Sequence, residues 1–178
     1  MRLYFMRHAH AVDPQDWSGE EVARPLTDKG RTRAEAAATG LARLRPGIDA
    51  IISSPYARAY ETAAIVGRVI GLPVETSDLL RPGFDLMRLD QALGMRPDAD
   101  GPLFVGHEPD LSRLIDLLTG HSGDQAVTMK KASCALALTP NGVEGGVSVA
   151  ELVGACQLMW LHDWHELSGL SDTASEGG

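Results

Sequence analysis

Short apolar runs recur along the chain, each stopping abruptly at polar residues. Residues 2–6 contain Tyr4 and Phe5 and read as a first strand that ends at Arg7-His8. Residues 13–25 are polar and irregular, a loop. Thr27 or Asp28 can cap a helix running to about residue 44, where Arg45-Pro46-Gly47 stops it. Residues 48–52 read as a second, buried strand ending at Ser53-Ser54-Pro55, and a helix follows over 56–70 with Gly71 as its stop. Residues 74–76 predict a third strand, 86–94 a weaker helix and 96–101 a loop. Another strand covers 102–106 and ends at His107, and a helix over 111–118 is closed by Thr119-Gly120. The last third changes period. Residues 132–138, 147–152 and 157–162 read as strands, with Asn141-Gly142 as the turn between the first two. From residue 168 on, Ser, Gly, Asp and Glu predominate, which predicts a disordered tail after one domain over 1–167.

Strands that alternate with helices predict an α/β three-layer α/β/α sandwich with a mainly parallel central sheet and antiparallel late strands. Ligands in such sheets bind beyond the carboxyl ends of the strands. Arg7-His8, Ser53-Ser54-Pro55 and Gly106-His107 all fall there.

Composition bounds the function. The 178 residues suffice for one domain with a substantial core. No apolar run has the length of a membrane span, and the N-terminal run is too short for a signal-peptide core, so a cytoplasmic protein is expected with no membrane role. A net charge of −8 argues against nucleic acid as a partner. Yet 13 of the 16 cationic residues are arginine, whose planar fork suits phosphate. Cys134 and Cys156 lie in apolar, strand-like surroundings without CxxC spacing and are expected to be reduced, buried and inert.

The polar strand ends point to phosphoryl chemistry. A histidine that attacks phosphorus needs one neutral ring nitrogen, a single tautomer and an aim at the phosphate. Guanidinium groups nearby oppose its protonation and neutralise charge on the phosphoryl oxygens. Arg7 adjoins His8, and Arg58 lies four residues after Ser54 in the first turn of a helix, whose N-terminus itself attracts anions. His107 can donate a hydrogen bond to a phosphoryl oxygen.

These residues, in this order, resemble the histidine phosphatase superfamily, the phosphoglycerate-mutase-like enzymes. The Arg-His pair after the first strand is Arg7-His8, followed by Ala9 where the family usually has glycine. The run from Ser53 through Arg58 to Thr62 is similar to the second-strand signature, and Gly106-His107 to the late Gly-His pair. Arg24-Pro25-Leu26-Thr27 with Gly30, the short length and Gly106-His107-Glu108-Pro109 are most similar to the SixA-type phosphohistidine phosphatases. The resemblance implies His8 as nucleophile, Arg7 and Arg58 as phosphate clamp and His107 as phosphate contact. It adds Arg24 and Glu108 as substrate contacts and Glu61 and Thr62 as residues that fix the helix. It also implies a metal-independent reaction without cofactor, on phosphohistidine of a partner protein or on a small phosphorylated molecule such as a sugar phosphate or nucleotide. The general acid of larger relatives has no obvious counterpart. Asp85, Glu108 and Asp13 are the candidates, and a phosphohistidine substrate relaxes the need, since an imidazole can leave already protonated.

Other readings are weaker. In His162-Asp163-Trp164-His165-Glu166, strand alternation splits the would-be ligands between two faces, so no metal site is expected. Asp98-Ala99-Asp100 lacks a preceding strand, and neither cysteine has an arginine six residues on.

Overall fold

In the computed structural model, residues 1–44, 46–123, 126–140 and 148–169 are described. The Asn141-Gly142 turn and the tail from residue 170 lie outside them. The elements are β1 (Arg2–Arg7), α1 (Asp28–Leu44), β2 (Ala50–Ser53), α2 (Ala57–Ile70), β3 (Val74–Thr76), α3 (Leu86–Met95), β4 (Pro102–Gly106), α4 (Asp110–Thr119), β5 (Cys134–Leu138), β6 (Gln157–His162) and α5 (Trp164–Gly169).

The strands form one six-stranded sheet in the order β3-β2-β4-β1-β5-β6. β1, β2, β3 and β4 pair in parallel, whereas β5 runs antiparallel to β1 and β6 antiparallel to β5. The architecture is the α/β sandwich expected from the alternation of elements, with late antiparallel strands. Side chains alternate across β1: Leu3 and Phe5 enter a core with α3 and α4, while Tyr4 and Met6 enter one with α1, α2 and α5. The interiors of β1, β2 and β4 are buried on both faces and apolar, and polar residues stand at the ends of β1 and β2, so these runs were visible in the sequence.

Helix ends follow local chemistry. Gly71 and Gly120 take left-handed backbone conformations at φ 79° and φ 72°, closing α2 and α4. Thr27 accepts the Gly30 N–H at 3.0 Å and so caps α1. Gly30 has no room for a side chain, because a Cβ there would overlap the His10 carbonyl.

Two segments differ from the expectation. The stretch read as a strand over 147–152 contains instead a 3-10 turn, Val149–Leu152. Its two apolar residues, three apart, both reach the core beside α3 and α4, and the free edge of β5 is taken by β6. The second correction concerns the His162–Glu166 run: the strand stops at His162. Asp163 Oδ1 accepts from the N–H groups of His165 (2.9 Å) and Glu166 (3.0 Å), and Glu166 Oε2 accepts from the Asp163 N–H (2.7 Å). That reciprocal cap starts α5, so the alternation across a strand does not exist. Among the described residues, no cluster of three or more potential metal ligands occurs and no helix is long and apolar enough to cross a membrane. Cys134 and Cys156 are free and buried, and burial raises both thiol pKa values.

Candidate active site

β1 and β4 are adjacent in mid-sheet, and their carboxyl ends carry His8 and His107 side by side. The His8 N–H donates to the Gly106 carbonyl at 3.1 Å, and the Ser54 N–H to the Val105 carbonyl at 2.9 Å, so three strand ends are tied together. The two imidazoles lie 5.3 Å apart between centroids.

His8 is buried, and its Nδ1 lies 2.7 Å from the Ala9 carbonyl oxygen. A carbonyl can only accept, so Nδ1 carries the proton and Nε2 keeps its lone pair. The His8 pKa falls from 6.5 to about 3, chiefly through burial; the bond to Ala9 opposes the drop, and His107, Arg58 and Arg7 contribute to it. The sequence argument credited the arginines; burial is the larger cause. Ala9 is not among the residues with positive φ, which explains why this loop accepts alanine where relatives carry glycine. The Ala9 N–H donates to Thr62 Oγ1 (3.0 Å), which donates to the Arg58 carbonyl (2.7 Å) and ties the His8 loop to α2.

His107 Nε2 lies 2.9 Å from Ser54 Oγ, while its Nδ1 is buried without a partner. Burial and then Arg58 lower its pKa to about 4. Arg58 is buried against the Tyr56 ring, 4.8 Å from the centroid. Arg7 donates through one Nη to the Met129 carbonyl at 2.8 Å. Arg7 Nε, Arg58 Nε and His107 Nδ1 make up the buried side-chain nitrogens and oxygens without a hydrogen-bond partner among the described residues. Buried polar atoms are normally satisfied, so three orphans on these three residues mark a site for an acceptor-rich ligand.

The remaining candidates have hydrogen-bond partners of their own or are exposed. Arg24 grips Glu21 with two bonds, of 2.8 and 2.7 Å, and also donates to the Val12 carbonyl, which commits it to the loop. Glu108 has both carboxylate oxygens on Ser112, bonded to its N–H (3.2 Å) and its hydroxyl (2.7 Å). Asp85 caps α3 by accepting the Arg88 N–H at 3.0 Å, Asp13 is exposed, and Glu61 pairs with Arg31 at 2.7 Å. Sequence reasoning missed Glu21. Its carboxylate and its carbonyl oxygen both lie 3.2 Å from an Arg58 Nη, so a carboxylate of the 13–25 loop rests on the guanidinium. The only local sign was an acid three residues before Arg24.

Comparison with known proteins agrees with this geometry. The profile of the histidine phosphatase superfamily (branch 1) matches residues 3–82. An uncharacterized protein of Picosynechococcus sp. is 35% identical over 137 residues, 74% of this chain and 81% of its own length. The structure of the protein histidine phosphatase SixA complexed with tungstate superposes with a TM-score of 0.75 at 22% identity, over 94% of this chain and 99% of that one. A candidate phosphohistidine phosphatase SixA from Nakamurella multipartitia gives 0.69 at 25% identity, over 90% and 94%. A mycobacterial glucosyl-3-phosphoglycerate phosphatase gives 0.65 at 20% identity, over 89% and 96%. The chain belongs to the histidine phosphatase superfamily. Its fold is similar to those of the SixA-type phosphohistidine phosphatases and of the glucosyl-3-phosphoglycerate phosphatase.

Proposed function

We propose that the chain hydrolyses a phosphoryl group in two steps, with His8 as nucleophile. The observation that carries this is the bond from His8 Nδ1 to the Ala9 carbonyl in a ring held neutral to about pH 3, which leaves Nε2 as an unprotonated nucleophile. Nε2 attacks phosphorus and the leaving group departs with its bonding pair. Water then adds to phosphorus, the P–N pair returns to His8, and the water's proton passes to solvent. Arg7, Arg58 and His107 Nδ1 supply donors to the phosphoryl oxygens, which accounts for their unpartnered nitrogens. Ser54 Oγ accepts the Tyr56 N–H at 3.4 Å and can direct its hydroxyl proton to His107 Nε2, which then acts as acceptor and leaves the ring's single proton on Nδ1.

For the substrate, the reading favoured here is phosphohistidine on a partner protein. Among the described residues, the candidate carboxyls have partners of their own: Glu108 bonds Ser112, Glu21 pairs with two arginines and Asp85 caps a helix. A leaving imidazole needs no proton from any of them. The likeness to a sugar-phosphoglycerate phosphatase supports a second reading, a small phosphomonoester. The test is a single-turnover assay followed by kcat/KM for a phosphohistidine protein, a panel of phosphomonoesters and an aryl phosphate. An acid-labile, alkali-stable phosphoenzyme is expected, absent in His8→Ala, with the phosphohistidine protein turned over most efficiently. Full activity in His8→Ala would refute the mechanism, and preference for a phosphomonoester the substrate. Binding of phosphate without any phosphoenzyme would make the chain a binding module.

A further inference from the structure

Arg7 ends β1, yet nothing in β1 aims its guanidinium. Its one bond runs to the Met129 carbonyl at 2.8 Å, in the loop between α4 and β5. What fixes Met129 is a buried polar chain. The Met129 N–H donates to Ser112 Oγ at 3.1 Å, and the hydroxyl donates to Glu108 Oε2 at 2.7 Å. The direction is forced, because an N–H can only donate and the hydroxyl proton must then go to the carboxylate. Glu108 Oε1 accepts the Ser112 N–H, which locks the carboxylate onto α4. Ser112 and Met129 are both buried. The far end of the same loop closes on β1, where Ala132 N–H donates to the His8 carbonyl (3.3 Å) and Arg7 N–H to the Ser133 carbonyl (3.1 Å). Those two bonds hold the backbone of the Arg7-His8 pair; among the described residues the guanidinium's hydrogen bond is the one to the Met129 carbonyl, with the Glu108 carboxyl as a nearby charge partner.

Helix capping does not account for this arrangement. Satisfying the start of α4 requires the carboxylate and the Ser112 N–H, but not a hydroxyl bonded to a loop seventeen residues further on.

We infer that Ser112, oriented by Glu108, is a positioning residue for phosphoryl transfer: through the Met129 peptide it holds the Arg7 guanidinium against the phosphoryl group. The inference rests on the reading of Arg7 as part of the phosphate clamp. Small misplacements of such donors are costly, on the order of a hundredfold for about 1 Å.

A double-mutant cycle tests it, with inorganic phosphate binding by calorimetry and kcat/KM for an aryl phosphate as readouts. Ser112→Ala is expected to weaken both by about tenfold or more while the melting temperature stays within a few degrees. Arg7→Ala should weaken them further, and the double variant should match Arg7→Ala alone. A merely structural serine would cost the same factor in both backgrounds, and that result, or a Ser112→Ala protein that binds phosphate like the parent, overturns the inference. Should the alanine variant fail to fold, Ser112→Cys, whose sulfur is only a weak acceptor for the Met129 N–H, is judged by the same cycle. Failure of the parent to form a phosphoenzyme would sink the proposed mechanism, whereas the phosphate-binding cycle still reads the Ser112 connection.

Discussion

A histidine buried beside two arginines and a second histidine cannot easily hold a proton, and here that serves the chemistry. His8 keeps Nε2 unprotonated because its ring is out of water and its Nδ1–H is spent on Ala9. The guanidinium of Arg58, by contrast, faces a competitor. Glu21 sits 3.2 Å from it, and Arg24, followed by Arg58, holds the Glu21 carboxyl below its ordinary pKa, so a negative charge rests on the clamp. In the proposed reaction phosphate would share Arg58 with that charge. Glu21→Gln should therefore tighten binding of inorganic phosphate, measured by calorimetry. Because Glu21 is half exposed, the gain is expected at about two- to fivefold, the scale of a solvent-screened pair. Weaker binding in the variant would mean that Glu21 serves chiefly to orient Arg58.

Between elements, α1 packs backbone to backbone against α5. Gly40 lies where a Cβ would overlap the Leu167 carbonyl, and Leu167 is itself fully buried. Two effects compete in Gly40→Ala. Helix propensity favours alanine by about 1 kcal/mol, and overpacking against backbone costs about 1–3 kcal/mol. Backbone cannot move aside as a flexible side chain can, so destabilisation should win. Urea denaturation is expected to show a lower midpoint, with kcat/KM little changed because Gly40 lies toward the C-terminal end of α1, while the His10 loop of the site packs at the helix's other end. Thr62 is the element-level link that does reach the site, joining α2 to the loop after β1 through the Ala9 N–H.

For the molecule as a whole, burying two neutral histidines couples stability to pH. His8 and His107 are lowered from 6.5 to about 3 and about 4 in the fold, chiefly by burial. Below the unfolded value the unfolded chain takes up protons that the native state excludes, so acidification favours unfolding. The loss begins as pH falls through about 6.5 and continues toward the folded values. Between pH 7 and pH 5 each histidine should withdraw on the order of 2 kcal/mol. Urea melts at the two pH values should show this, with a smaller drop in His8→Asn. An equal drop in the variant would place the pH dependence elsewhere. Activity toward a good leaving group should meanwhile show no limb near pH 6.5, since His8 stays unprotonated there.

The sequence by itself determined what depends on near neighbours. Apolar runs buried on both faces announced β1, β2 and β4, glycine stops closed α2 and α4, and the strand ends located His8, Arg58 and His107. The errors were local signals with two solutions: Val149 and Leu152 fit a strand or a single turn, and Asp163 with Glu166 fits an alternating face or a helix cap. Tertiary structure alone decided the partners of polar side chains. Arg7 finds Met129 across 122 residues, Arg58 finds Glu21 across 37, and Ser112 reaches Met129 across a loop. The physical reason is that hydrophobic period is written along the chain, whereas a hydrogen bond needs angstrom placement that only the packed sheet supplies.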